Sequence, residues 1–507
     1  MVALAEQAGA MIQKEFYRAD GPRGFGEKAP IDTEIEAYLR AELGLITPNW
    51  SILGEEMPFQ KGSDSAYCWV LDPQDGTSAF LRGFRGSSVS IGLTHRHQPV
   101  LGVVHAPLYP NDGGDLIYGA RDVGLFHNGK ELHLGLPAGP PGPEDIVAVS
   151  QDADRRIDYN LGTLKPARYL PMPSIAYRLA LAAAGEVRAG MSLAPLRALD
   201  VAAGHALLSL TDRELHHLST PENPSISYRD EQRLHGVIGG DPVCIQSLTP
   251  WRWDSYFGPK QNTPLCRPSH GRKVSGPALS RAQGCLLGQL AGELSSPPGR
   301  PTADGELALS LARTLLVDGE FRPAHLRASD SEWLRSQHRD DPLGELYRCS
   351  PLGVAFTPEQ LAASLPSGTS TPTEECVRLF VLAISQAVEG NKPESVAARI
   401  LETASPPVRT LLESGQDPEA PQFLAFRNAL VHLRSGTALR EAVENSRPNR
   451  GPAVVGALLG AFQGYESIPA EWRRAVLTCR QRSRPIAYWP VDALTLAEHL
   501  LCLRKKV

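Results

Sequence analysis

Between about residues 250 and 277 the chain reads WRWDSYFGPKQNTPLCRPSHGRKVSGP, and the hydrophobic pattern differs on its two sides. Upstream, short runs rich in Val, Ile, Tyr and Trp alternate with turn residues and a few helical stretches. Downstream, apolar residues recur at helical spacing almost throughout. The segment between is rich in proline, glycine and polar residues and has no period, which marks a linker. At 507 residues the chain exceeds the roughly 100–200 of a usual domain, so more than one core is expected. The expected organisation is a domain over 1–249, a linker over 250–277 and a second domain over 278–507. The fold class is multidomain: an N-terminal α/β layered sandwich followed by an all-α domain.

Within the first half, Leu4, Ala8, Met11, Ile12 and Glu15 fall at helical spacing, as do Ile35, Leu39 and Leu43. Strands are expected at 50–56, 67–73, 88–96, 100–108, 146–150 and 235–240. Two more are expected within 115–132, where Asn128-Gly129 reads as a tight hairpin turn. Helices are expected at 174–184 and 200–210. In the second half, helices fit 279–290, 305–316, 358–365, 376–389, 394–404, 422–433, 437–444, 453–465 and 491–503.

Composition excludes several classes. The 56 acidic residues outnumber the 51 basic ones, for a net charge of −5, which argues against a nucleic-acid-binding surface. No apolar run reaches 18 residues, and AVVGALLGAF over 453–462 suits a buried helix, so no membrane span is expected. The start MVALAEQAGAMIQKEF carries Glu6 and has no basic region before an apolar one, unlike a signal peptide. Eight scattered cysteines with no CxxC pair read as reduced thiols. A cytoplasmic protein is the expectation.

The densest chemical signal is Gly54-Glu55-Glu56 followed by Asp72-Pro-Gln-Asp75-Gly76-Thr77-Ser78. Several carboxylates near strand ends, followed by a Gly-Thr-Ser turn, supply the hard oxygen ligands that Mg²⁺ prefers. Pro73 and Gly76 are expected to force a turn that returns Asp75 to the side of Asp72. Gly76, Thr77 and Ser78 would open the next helix, whose N–H groups suit a phosphate. Asp200, at the head of an apolar helix, adds another carboxylate. The competing reading of these acids is as helix caps and turn formers.

At these residues the sequence resembles the inositol monophosphatase family of Mg²⁺-dependent phosphomonoesterases, over roughly residues 1–245. Asp32-Thr-Glu-Ile-Glu36 is similar to its early helix, Gly54-Glu55-Glu56 to its GEE element and Asp72-Pro-Gln-Asp75-Gly76-Thr77 to its DPxDGT signature. VLGVVHAPL with HNGKEL resembles its middle hairpins, and Asp200-Val-Ala-Ala-Gly its closing helix. The resemblance implies that Glu55, Asp72, Asp75, Asp200 and the Gln74 carbonyl ligate Mg²⁺. It implies that Thr77, with Asp32 and Glu55, activates water, and that Gly76, Thr77 and Ser78 hold the phosphate. Two departures bear on the substrate. Leu199 stands where the family has tryptophan, and Gly190-Met-Ser-Leu-Ala-Pro has no acid where an inositol-selecting glutamate would lie. Arg188 and Arg197 read either as receptors for a second phosphate or as solvated surface arginines.

Over about 278–480 the sequence resembles the ADP-ribosylglycohydrolase family. Arg281–Gly292 is similar to its opening helix, Glu306–Leu316 to the helix after its TDDT metal motif, and Phe426–His432 and Gly456–Gly464 to its last core helices. That family's paired aspartates are here Thr302-Ala303-Asp304-Gly305 and Asn445-Ser446-Arg447-Pro448-Asn449-Arg450. An arginine in a ligand's place repels a dication, so this half is expected to be a pseudoenzyme. Arg447 or Arg450 is a candidate contact for a pyrophosphate.

The whole therefore reads as a Mg²⁺-dependent phosphomonoesterase for a small sugar- or nucleotide-type phosphate, carrying a pseudo-ADP-ribosylglycohydrolase domain for binding or regulation. ADP-ribose, a nucleotide or a second copy of the chain are its candidate partners. The alternatives are a non-enzymatic ADP-ribose- or partner-binding protein, or an ADP-ribosyl hydrolase with atypical metal ligands.

Overall fold

A computed structural model describes residues 1–218, 226–228, 233–249, 260–293, 303–322, 345–364, 371–414, 421–447 and 451–505. Part of the expected linker, 250–259, lies outside the described residues. The chain divides into two compact units: Met1–Asn262 with Pro268–Gly271, and Thr263–Arg267 with Arg272–Val507.

The first unit is layered. Helices α1 (Val2–Phe16) and α2 (Pro30–Ile46) open it, and Pro30 sits in the first turn of α2, where its missing N–H costs nothing. Ile31, Ile35, Leu39 and Leu43 form an i, i+4 stripe that is fully buried against a sheet. One residue further round the same helix runs a second buried stripe, Asp32, Glu36 and Arg40, all polar. Burial of a polar row beside an apolar one turns α2 into a support for a site as well as a core element.

The sheet beneath has seven strands in sequence order: β1 (Trp50–Gly54), β2 (Asp64–Asp75), β3 (Ser88–His95), β4 (Gln98–Ala106), β5 (Asp115–Ala120), β6 (Gly124–His127) and β7 (Lys130–Leu132). Only β1 and β2 run parallel. The region 115–132 holds three strands where two were expected. Asn128-Gly129 makes its turn, with positive φ at both residues, and an added turn around Asp122 and Gly124 divides the first strand.

A second sheet has the order β11-β12-β10-β8-β9, from β8 (Ile146–Ser150), β9 (Arg168–Met172), β10 (Ala189–Arg197), β11 (Glu214–His217) and β12 (Arg233–Gly240). Side-chain alternation on β8 separates two cores: Ile146 and Ala148 pack toward the first sheet, Val147 and Val149 away from it. Short helices α3 (Thr77–Leu81) and α4 (Ile157–Thr163) follow β2 and β8; between the sheets lie α5 (Ile175–Ala183) and α6 (Ala202–Ser209), and α7 (Pro242–Leu248) covers the far face. The result is an α/β layered sandwich.

Described secondary structure in the second unit is helical throughout. The helix Pro277–Glu293 packs on Gly451–Gln463 through facing glycines, antiparallel: Gly284 on Gly460 and Gly288 on Gly456, with Gly292 on Pro452. A Cβ on Gly288 would land on the Gly456 carbonyl oxygen, and one on Gly456 on that of Gly288. Only glycine permits this backbone approach, so the small residues at 456 and 460 are packing determinants. None of the eight cysteines is in a disulfide. No helix among the described residues is long and apolar enough to cross a membrane.

Gly288→Val should cost about 3 kcal/mol of stability through overpacking, read as a lower denaturation midpoint for the second unit. An unchanged midpoint would show that the two helices can separate without loss.

Candidate active site

The site is built on the end of β2. Trp69 and Leu71 point into the core under α1 and α2, so Val70 and Asp72 face the opposite side, where Val70 packs on Leu199 and Ala202. Strand alternation would put Asp75, three residues on, on the other face. The pairing with β3 prevents this: Asp72 faces Ser90 and Asp75 faces Ser88, so three steps on β2 match two on β3. This bulge returns Asp75 to the side of Asp72. The expected turn at Pro73 is thus a bulge inside a continuous strand. Gly76 follows at φ +96°, and α3 (Thr77–Leu81) begins there, with Ser78 in its first turn.

Each carboxylate has one oxygen committed to a protein donor. Asp72 Oδ1 accepts from the Gln74 N–H at 3.0 Å. Asp75 Oδ2 accepts from the Ser174 hydroxyl at 2.6 Å and the Ala176 N–H at 2.7 Å, at the start of α5. Asp75 thereby caps a helix about a hundred residues away in sequence, as the competing reading of these acids has it. Asp200 lies in the short helix Ala198–Val201 and accepts from the Arg197 N–H at 2.8 Å. Glu55 Oε1 pairs with the Arg197 guanidinium at 2.7 Å.

The turn that carries Glu55 is held by the polar stripe of α2. Glu36, completely buried, accepts from the N–H groups of Glu56 (2.6 Å) and Met57 (3.1 Å). Arg40 binds Glu36 at 2.8 Å and the Met57 carbonyl at 3.0 Å. A side chain on Gly54 would collide with the Glu36 carboxylate. From the first position of the stripe, Asp32 Oδ2 lies 3.0 Å from the Thr77 hydroxyl, which is also 2.8 Å from the Gln74 carbonyl. One hydroxyl proton serves one acceptor at a time. When Thr77 donates to Gln74, its oxygen can accept a proton-bearing bond from Asp32.

Electrostatics follow from this crowding. Burial pushes the Asp72 carboxyl well above the usual carboxylate range, and Glu55, Asp75 and Asp200 push it further. Burial raises Asp200 to about 7, Asp75 and Glu55 adding to it. Burial also raises Asp32 to about 7 against the Thr77 hydrogen bond, with Glu56 and Glu55 contributing. Glu55 and Asp75 are raised by burial too; Arg197 opposes the shift at Glu55, and the bonds from Ser174 and α5 oppose it at Asp75. Near Asp75, buried Arg178 donates to the backbone carbonyls of Pro173, Ser174 and Met191 and to the Ser150 hydroxyl. The run IAYRLAL gave no sign of that role.

Such a set calls for a cation. Among the described residues, no group of three or more His, Cys, Asp or Glu side chains is arranged to hold a metal ion as it stands. The donor chemistry nevertheless fits a hard divalent cation: four mutually repelling carboxylates and a backbone carbonyl. Asp32 Oδ1 and both side-chain polar atoms of Gln74 are buried beside them without a hydrogen-bond partner. Arg188, in contrast, is buried on Asp241 (2.6 Å), Asp145 (3.0 Å) and the Gly139 carbonyl (2.8 Å), a structural role away from any phosphate. In the second unit Asp304 is buried at the head of the helix Ala303–Asp318. Thr302, Pro448, Asn449 and Arg450 lie outside the described residues.

Comparison with known proteins matches each half of the chain to a different family model. Residues 1–209 match the model of the inositol monophosphatase family and residues 340–502 that of ADP-ribosylglycohydrolase. The two matches lie on separate stretches of the chain, and each covers less than half of it. The second match begins at 340, so the helices Pro277–Glu293 and Ala303–Asp318 precede it. A fructose-1,6-bisphosphatase/inositol-1-monophosphatase of Aquifex aeolicus is 26% identical over 178 residues, 32% of this chain and 66% of that protein. The 3'(2'),5'-bisphosphate nucleotidase CysQ of Aggregatibacter actinomycetemcomitans is 31% identical, covering 27% and 52%. An inositol-1-monophosphatase of Rhizobium meliloti is 32% identical, covering 27% and 51%. The chain spans about half to two thirds of the length of these curated relatives. Among solved structures, an IMPase of Thermotoga maritima is 23% identical with a TM-score of 0.41, over 49% of this chain and 93% of that one.

The raised carboxyls set a pH dependence. Folded, they bind protons that the unfolded chain has released, so between the ordinary carboxylate value near 3.8 and about 7 stability falls as pH rises. Cation-free protein should melt about 5 °C lower at pH 8 than at pH 5.5, and Asp72→Asn should shrink that drop. An equal drop in both proteins would mean that Asp72 is not held protonated.

Proposed function

We propose that the first unit is a Mg²⁺-dependent phosphomonoesterase acting on a small sugar- or nucleotide-type phosphate. The observation that carries this reading is the hydrogen-bonded pair of Asp32, on α2, and Thr77, at the start of α3, beside the bulged strand end that carries Asp72 and Asp75. The match to the inositol monophosphatase family and the names of the relatives, phosphatases of inositol, fructose and nucleotide phosphates, support it.

In this reading Glu55, Asp72, Asp75, Asp200 and the Gln74 carbonyl hold Mg²⁺. The bound ion lowers the pKa of water and neutralises phosphoryl charge. Thr77 orients the attacking water through its hydroxyl, and Asp32, raised to about 7, takes up the proton that Thr77 passes on. The N–H groups of Gly76, Thr77 and Ser78 face the phosphate, and α2 keeps Glu55 in place through Glu36. Gly190–Pro195 offers no carboxylate to sugar hydroxyls, which turns the substrate choice away from inositol monophosphate.

We further propose that the second unit cleaves nothing and serves binding or regulation, ADP-ribose or a related nucleotide being its candidate ligand. Arg447 stands where a ligand aspartate would be needed, and a fixed positive charge there opposes a dication.

Phosphate release across inositol, sugar, nucleotide and ADP-ribose phosphates tests the proposal. Turnover should require Mg²⁺, fall at least about a thousandfold in Asp72→Asn, and fall about a hundredfold in Thr77→Ala. Asp304→Ala should leave it unchanged. Absence of release on every substrate would overturn the phosphatase reading, and release of ADP-ribose from a modified protein, lost in Asp304→Ala, would overturn the pseudoenzyme one.

A further inference from the structure

Arg197 is the residue where the site departs most from a simple carboxylate cage. It ends β10, and it touches two of the four acids at once. Its backbone N–H holds Asp200 at 2.8 Å, while its guanidinium holds Glu55 at 2.7 Å. Both side chains of the ion pair remain about one third exposed, 32% each, so the pair can open without unpacking a core. The short helix Ala198–Val201 that follows brings Asp200 round to the same point.

We infer that Arg197 is a built-in counter-cation: it occupies Glu55 while no divalent ion is bound and competes with that ion for the carboxylate. This deepens the phosphatase reading and rests on it. The physics is direct. Four buried or half-buried acids repel one another, and a tethered positive charge at the rim relieves part of that repulsion. A dication that takes Glu55 must either displace the guanidinium or share the carboxylate with it, and it meets a positive charge nearby. Both effects weaken cation binding, and neither involves the packing of the sheet. Arg197 is accordingly a positioning residue, acting through Glu55.

The sign of the effect separates this role from a structural one. Loss of a residue that merely props the site would weaken cation binding; loss of a competitor strengthens it. Mn²⁺ binding to the full-length protein, followed by electron paramagnetic resonance and by calorimetry, reads this without turnover. Arg197→Ala should bind Mn²⁺ about fivefold more tightly than wild type, the scale of an exposed ion pair. Arg197→Lys keeps the charge and should stay close to wild type. Should the alanine variant misfold, Arg197→Gln keeps the length of the side chain and carries the same prediction. Affinity unchanged or weakened in a folded Arg197→Ala or Arg197→Gln would overturn the counter-cation role while leaving the metal site standing. Asp72→Asn distinguishes the two failures: if it binds Mn²⁺ as wild type does, or wild type binds none, the cation site itself is wrong and both readings fall.

Discussion

Burial raises the proton affinity of Asp72, Asp75, Glu55 and Asp200 around one bulged strand end, repulsion from neighbouring acids adds to it at Asp72, Glu55 and Asp200, and a protein interior cannot leave such a group fully ionised without a counter-charge. Much of the first unit is organised around that constraint. Ser174 and the start of α5 hold Asp75, the Arg197 N–H holds Asp200, and the Gln74 N–H holds Asp72. Glu36 and Arg40 fix the turn that presents Glu55. The remaining repulsion is a reservoir of free energy that a divalent cation would release on binding, the reverse of the stability lost as the acids ionise.

The elements that carry this chemistry were legible because they are local. DPQDGTS and GEE name the residues, and the alternation of Trp69, Leu71 against Val70, Asp72 says which way the strand faces. The bulge was not legible. It is a property of the register between β2 and β3, which a single strand's sequence does not encode. Strands β9, β10 and β11 were missed for a related reason. Pro171 and Pro195 interrupt two of them, and His216 and His217 replace the apolar pattern in the third, so pairing with neighbours makes these strands. Arg188 and Arg197 looked equivalent in a chain rich in arginine. Only the fold separates the buried partner of Asp241 from the partly exposed partner of Glu55.

In the second unit, helical period alone located most of the described helices, because each buries one face in a shared core. Ser350–Ala355, Pro406–Glu413 and Ala470–Leu477 escaped it; each spans only six to eight residues, over which a helical period is weakly defined. Glycines at 284 and 288 facing those at 456 and 460 give that core its closest contact, a feature of packing with no bearing on chemistry.

The account's central claim is that the acids at the end of β2 are a divalent-cation site. A crystal of the protein grown with Mn²⁺ and inorganic phosphate, measured at a wavelength where manganese scatters anomalously, tests it most directly. Anomalous density within bonding distance of Asp72, with Glu55, Asp75 or Asp200 completing the shell, is the result this account requires. Manganese bound only elsewhere, or none bound at all, would contradict it.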